Sequence, residues 1–352
     1  MKGLILSGGF GTRLRPITYS QQKQLIPVAN KPILFYVIDD LIEAGISEIG
    51  IVVGPNKNQV IETVNGNTWK ARITFIDQEK PLGIAHAIKI SQSFLGKDPF
   101  MLYLGDNILR EGVVEHVKEF QSSDCEGSIL LTEVENPQEF GIATLNEKNH
   151  IVKVVEKPQN PESNLAVIGV YMFRSKIFDA VNDLQFSARG QLEITDAIQW
   201  LIDHGYTVAS CFVKHWWKDT GKPEDILHAN RLILDDIKSE NHGQVVSSDI
   251  RGRVQIGKHS VINKESQIKG PVKIGDNCTI SSSYIGPYTS IGNNCMIEGS
   301  EIEDSVIMDS SVIMNGGRIV DSLIGREVKI KKVNHLPSAK RFIIGDNSEV
   351  FL

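Results

Sequence analysis

The sequence predicts an α/β fold, a mostly parallel sheet with helices on both faces, followed by a parallel β-helix. Two observations carry this expectation. Up to about residue 240, short apolar runs alternate with longer segments of helical periodicity, the pattern of strands and their crossover helices. From Val254 onward isoleucine recurs every sixth residue, at Ile256, Ile262, Ile268, Ile274 and Ile280. After a slip of one it resumes at Ile285, Ile291 and Ile297. Neither a helix nor an ordinary strand has that period, whereas a parallel β-helix does.

Segments 3–6, 49–53, 73–76 and 100–104 are short apolar runs that read as strands. The clearest helix between them is 33–44, with Gly45 as its C-terminal stop. SILLTEV, GIATLN, IVKVVEKP and LAVIGVYMF then follow with little helix between them. They predict further strands, partly antiparallel, that extend the sheet. Helices resume over 174–182 and 194–204, and a last amphipathic helix over 223–238 ends in the polar run KSENHGQ. In the periodic region, turn-forming residues follow several isoleucines (Gly257, Asn263, Gly275, Ser281, Gly286, Gly292), as the corners of a coil require. The pattern loosens through Val306, Val312, Ile319 and Ile324 to about Ile330. The expected domains are 1–240 and 245–330, with 331–352 as a C-terminal tail.

A chain of 352 residues, 41% hydrophobic, is too long for one typical core, which favours two domains. Its 37 Lys and Arg against 43 Asp and Glu give a formal charge of −6. That balance lacks the positive footprint of a nucleic-acid binder, so any phosphate must be held by local groups. Cys125, Cys211, Cys278 and Cys295 are far apart and form no C-x-x-C pair. This speaks against disulfides and a structural zinc and for a reducing cytoplasm. The opening MKGLILSGG is too short for a signal h-region with its cleavage site. No apolar stretch approaches the ~20 residues of a membrane span. A soluble, cytoplasmic protein is expected.

Leu6-Ser7-Gly8-Gly9-Phe10-Gly11-Thr12-Arg13 closes the first strand, at the edge where open α/β sheets bind ligands. Glycines there let the backbone approach a phosphate and aim N–H groups at its oxygens. No Gly-Lys-Ser/Thr follows, so this is not a Walker A loop. The third glycine of the dinucleotide fingerprint is absent, and Pro16 arrives too soon for a helix. Arg13 follows the turn, and Lys23 comes after an irregular stretch that contains proline. Two cations beside a phosphate cradle suit phosphoryl chemistry, arginine as a fork and lysine as a point charge.

FMLYLGDN is an apolar strand that ends with Asp106 at the same sheet edge, and Asp219 lies in HWWKDTG after the strand TVASCFV. One or two carboxylates plus substrate phosphates is how Mg²⁺ is usually bound. An aspartate before Thr-Gly equally suits a turn. Glu156 and Lys157 stand side by side where Pro158 cuts a strand short, so both can reach one pocket. There the acid could accept from sugar hydroxyls and the base could hold a phosphate. A surface ion pair is the plain alternative.

Together these segments resemble the glucose-1-phosphate thymidylyltransferases (dTDP-glucose pyrophosphorylases), in particular the long form with a C-terminal hexapeptide-repeat domain. The matching stretches are LSGGFGTRLRPIT, KQLIPVANKPILFY, AGISEIGIVV, PLGIAHAI, LGDNI, VEKP, PESNLAVIGVYMF, ARGQLEITDAI and WWKDTG. They occur in one order across nearly all of residues 1–240. The resemblance implies a Rossmann-like nucleotidyltransferase domain, a left-handed β-helix, Mg²⁺ as cofactor, and dTTP (or UTP) with glucose 1-phosphate as substrates. It implies a nucleotide site at Leu6, Gly8, Gly9, Gly11 and Thr12, the glycines cradling the triphosphate. Arg13 and Lys23 would stabilise the α-phosphate and the departing pyrophosphate, and Gln24 would sit beside the nucleotide. Gln78 and Gly83 would contact the base, and Asp106 and Asp219 would bind Mg²⁺. Asn107, Gly141, Glu156 and Val167 would line the sugar pocket, while Lys157 and Arg189 would hold the sugar phosphate. Two positions depart from the family pattern. Phe140 stands where many members have Tyr, and His86 where Gln or Ser is usual.

The expected reaction is an in-line displacement at the α-phosphorus by a sugar phosphate that is already an anion, so no general base is called for. Two other classes compete. The periodic domain could transfer acetyl groups with a histidine base, although His259 and His335, the only histidines of the C-terminal region, lie in no recognisable catalytic setting. The chain could instead be a non-catalytic sensor of sugar nucleotides, although a sensor need not keep Arg13, Lys23, Asp106, Lys157 and Asp219 together. A rigid β-helix that packs on the first domain or drives homo-oligomerisation needs neither activity.

Overall fold

A computed structural model describes residues 1–332. Most of the expected C-terminal tail, and His335 with it, lies outside the described residues. The chain divides into two compact units. The first comprises Met1–Phe10, Gln22–Leu25 and Ile33–Asp219; the second comprises Gly11–Gln21, Ile26–Pro32 and everything from Thr220 onward.

The first unit is built on a nine-stranded sheet. Strands Phe100–Leu104, Lys2–Ser7, Glu48–Val53 and Arg72–Asp77 lie side by side and all parallel. Their sequence alternates between two buried faces with the period of two that a strand imposes. Leu4 and Leu102 point into one core with Ile88, Phe178 and Ile198, while Ile5, Met101 and Tyr103 point into the other with Val37, Leu41 and Val117. Burial on both sides is why these runs read as continuously apolar. The helix Ile33–Glu43 ends as its sequence requires, with Gly45 at φ 79°. Beyond Phe100–Leu104 the sheet turns antiparallel at Leu165–Phe173, which also pairs with Gly127–Glu133 and Gly141–Leu145. Ile151–Glu156 completes that side. The four later runs are thus strands, mostly antiparallel.

In the second unit a helix, Pro223–Leu234, precedes a series of short parallel strands. That helix stops four residues short of the sequence expectation, at Leu234 and not at 238. Each strand pairs in parallel with one 16–18 residues later: Ile256 lies opposite Ile274, Ile274 opposite Ile291, and Ile291 opposite Ile307. The periodic isoleucines are fully buried in one apolar core with Cys278 and Cys295. Residues at the bends, His259, Asn277, Asn294, Ser310 and Glu327, take positive φ between 56° and 62°. Three bends are held by a side chain 16–18 residues later. Lys258 N–H donates to Asp276 Oδ1 (2.7 Å), Asp276 N–H to Asn293 Oδ1 (2.8 Å), and Asn293 N–H to Asp309 Oδ1 (2.7 Å). The buried Asn230 of the helix accepts from Ala29 N–H and donates to the Tyr288 carbonyl, tying residues 26–32 to the strands. Among the described residues no helix is long and apolar enough to cross a membrane.

Candidate active site

The glycine turn leaves the Lys2–Ser7 strand between its two parallel neighbours. Gln22, buried, fixes it from behind: its side-chain amide donates to the carbonyls of Ser7 (3.1 Å) and Gly9 (2.9 Å) and to Gln24 Oε1 (2.9 Å). Gly8 faces Gln78, whose Oε1 would lie 3.2 Å from a Cβ there. Lys23 and Gln24 follow in a short 3-10 turn, Lys23–Leu25, and both are buried.

Lys23 is where the distant carboxylates meet. Its Nζ donates to Asp106 Oδ2 at 2.5 Å and lies 3.8 Å from Asp219 Oδ1. A three-residue antiparallel ladder causes the convergence. Asn107–Leu109 pairs with Trp217–Asp219 in a register that sets Asp219 directly opposite Asn107, one residue from Asp106. Trp217 Nε1 locks the ladder by donating to Asn107 Oδ1 (2.6 Å), and Asn107 Nδ2 donates to Asp106 Oδ1 (2.9 Å). Burial pushes the Asp106 carboxyl up, but the Lys23 ammonium and the Asn107 amide outweigh it and hold it below its ordinary range.

A cavity of about 360 Å³ opens in front of these groups. Leu6, Gly8, Gly9, Gln24 and Asp106 line one side, with Gln78 and Gly83 beside them. Gly141, Glu156, Lys157, Val167 and Arg189 line the other. Lys23 and Asn107 join the cavity through Asp106, and Asp219 through Lys23. Glu156 and Lys157 reach one pocket because Lys157 takes φ 44°, which breaks the alternation of the strand. Arg189 Nη1 donates to Glu156 Oε1 (2.8 Å), so the base expected to hold phosphate is paired with the acid expected to hold sugar. Thr195 Oγ1 reaches the other Glu156 oxygen at 3.4 Å. Gly83 has φ 107°, and a Cβ there would lie 2.3 Å from the Leu192 carbonyl oxygen, so only glycine fits. Gln78 Nε2 sits 3.0 Å from His86 Nδ1, and burial pushes the His86 imidazole below its ordinary pKa.

Gly11, Thr12 and Arg13 belong to the second unit. Gly11 has φ 61° and precedes a 3-10 turn, Thr12–Leu14, on which Thr12 and Arg13 are exposed. Sequence reasoning missed Gln22 and Trp217. The amide-rich run Gln21-Gln22-Lys23-Gln24 was a signal for the first, since such residues are seldom buried without partners.

A sheet edge carrying a glycine turn, a buried lysine and two converging aspartates defines a phosphoryl-transfer enzyme. Residues 2–236 match the nucleotidyl transferase family model, and the chain belongs to that family and is a nucleotidyltransferase. Residues 268–351 match the GMPPB C-terminal domain. The chain is 48% identical to the low-salt glycan biosynthesis nucleotidyltransferase Agl11 of Haloferax volcanii, covering 100% of both chains. It is 43% identical to a glucose-1-phosphate thymidylyltransferase of Streptomyces griseus, over 99% of this chain and 98% of the relative. Among solved structures it resembles a putative glucose-1-phosphate thymidylyltransferase from Bacillus anthracis, with TM-score 0.62 and 34% identity over 68% of this chain and 98% of that one.

Proposed function

We propose that the chain is a glucose-1-phosphate thymidylyltransferase, forming dTDP-glucose and pyrophosphate from dTTP and glucose 1-phosphate. The convergence of Lys23, Asp106 and Asp219 beside the glycine turn carries this reading. Two carboxylates from separate strands at one ammonium fit a Mg²⁺ ion, which takes few protein oxygens and completes its shell with phosphate and water. Asp106 and Asp219 would hold that ion, whose charge would offset that of the triphosphate. A phosphate oxygen of the sugar attacks the α-phosphorus in line. The new P–O bond forms as the bond to the bridging oxygen breaks, and pyrophosphate leaves with that electron pair. Backbone N–H groups of Gly8 and Gly9 receive the triphosphate, and Lys23 stabilises the departing charge. With its Nε2 engaged by a neutral His86, Gln78 keeps one N–H and its Oε1 for the O4 and N3–H edge of a pyrimidine. Asn107, Gly141, Glu156 and Val167 shape the sugar site, and Lys157 and Arg189 take the sugar phosphate once Arg189 exchanges its Glu156 partner.

For residues 245–330 the proposal is a left-handed parallel β-helix. Strand pairing one circuit apart and the positive φ at the bends support it. The testing experiment measures pyrophosphate release from dTTP and UTP, each against glucose-, galactose- and N-acetylglucosamine-1-phosphate. The expected result is fastest release with dTTP and glucose 1-phosphate. Faster release with UTP overturns the thymidine assignment, and nucleotide binding without release from any pair overturns the enzyme assignment in favour of a sensor.

A further inference from the structure

A second cluster of ligand-type side chains lies in the first unit, outside the groups the reaction uses. His116 and Glu119, one helical turn apart on Val114–Ser122, face Cys211 on the edge strand Val208–Phe212. One ligand atom from each lies within 4.8 Å of the other two. Cys211 Sγ is 3.8 Å from Glu119 Oε2 and 3.2 Å from Ser128 Oγ. His116 is 5% exposed, and its buried Nδ1 has no hydrogen-bond partner among the described residues. A buried imidazole with an unpartnered nitrogen in such a cluster is unusual, because buried polar atoms normally find partners.

We propose that His116, Glu119 and Cys211 form a binding site for a zinc-class divalent ion, separate from the carboxylate pair at Lys23. The donor set is one nitrogen, one sulfur and one oxygen, which selects zinc or cobalt over magnesium. Zinc bonds of about 2.0–2.3 Å place tetrahedral ligands about 3.5 Å apart, close to the Glu119–Cys211 separation already present. Glu119 is exposed and free to swing the remaining distance. On binding, the Cys211 S–H bond breaks, sulfur bonds the metal through the electron pair it retains, and the proton passes to solvent. The ion would clip the sheet's outermost strand to the helix that covers it. The chain leaves that strand for the Trp217–Asp219 ladder, so the clip would steady the segment that delivers Asp219.

The test uses the full chain in excess Mg²⁺, which occupies oxygen-only sites. Zn²⁺ is titrated against a chromogenic chelator, and Co²⁺ is added in parallel while the near-ultraviolet thiolate-to-cobalt band is followed. The expected results are one Zn²⁺ per chain and a cobalt band lost in Cys211→Ser and kept in Cys125→Ser. Glu119→Gln, an exposed change that leaves the fold intact, should weaken zinc at least about tenfold. No cobalt band, a band that survives Cys211→Ser, or equal zinc affinity in Glu119→Gln overturns the proposal.

Discussion

The site of the first unit and the core of the second bury opposite kinds of side chain. At the first unit's site the interior holds Lys23, Gln22, Gln24 and Gln78, all below 8% exposure, inside a web of hydrogen bonds. The second unit repeats isoleucine at its centre and leaves its ions outside. A buried ammonium is expensive unless it is paired, and replacing such a pair with apolar groups is often neutral or stabilising. On the proposed function, the charge in the first unit is kept for chemistry and not for stability. The isoleucines of the second contribute stability, about 1.5–3 kcal/mol for each fully buried side chain.

If that contrast holds, substitutions of similar size should fail in different observables. Lys23→Ala and Asp106→Ala should each lower turnover at least about a hundredfold, on the order of 2.7–4 kcal/mol by analogy with a lost oxyanion donor. Circular dichroism should show both variants folded. Pyrophosphate release near the wild-type rate in either would break the contrast at its strongest point.

Ile280→Ala should do the reverse. It removes a side chain 1% exposed from the periodic core, costing about 2–5 kcal/mol of stability. Denaturant unfolding of the full chain measures it. A loss below about 1 kcal/mol would mean that this core yields to a cavity and is less rigid than its strand register implies.

Acid sharpens the comparison from another side. Despite burial, the Lys23 ammonium and the Asn107 amide hold the folded Asp106 carboxyl below its ordinary value of 3.8. Its contribution to stability is thus complete above that value and is lost as pH falls through the lower folded pKa. Asp106→Asn should flatten the stability loss below about pH 4, read as the midpoint of acid unfolding.

Much of both units was legible in the sequence, because long repetition leaves a trace. The parallel strands were visible as apolar runs, and the second core as isoleucine spacing. Asp106 and Asp219 were legible as candidates, but their meeting was not. It depends on a ladder only three residues long, too short for any periodicity to register, and on the indole of Trp217 reaching Asn107. The φ of Lys157 was hidden too, although Pro158 hinted that the strand was ending. The Arg189–Glu156 pair joins residues 33 positions apart, a separation no local pattern encodes. What a sequence hides here is contact between short elements, and those contacts build the site.

The smallest expected effect is also the sharpest control on the role of burial. Arg251 and Asp249 in the second unit form an ion pair of 2.7 Å, close in length to the 2.5 Å of Lys23 and Asp106. The Arg251 side chain is 72% exposed, against 7% for Lys23. Water and salt screen the outer pair, and holding two flexible side chains together costs entropy, so such pairs contribute about 0.2–1 kcal/mol. Arg251→Met should therefore shift the unfolding free energy by less than about 1 kcal/mol, and the shift should shrink further in 1 M salt. A loss of several kcal/mol that persists in salt would show that pair length, not burial, sets the strength of ion pairs in this protein, and the functional reading of Lys23 would lose its energetic basis.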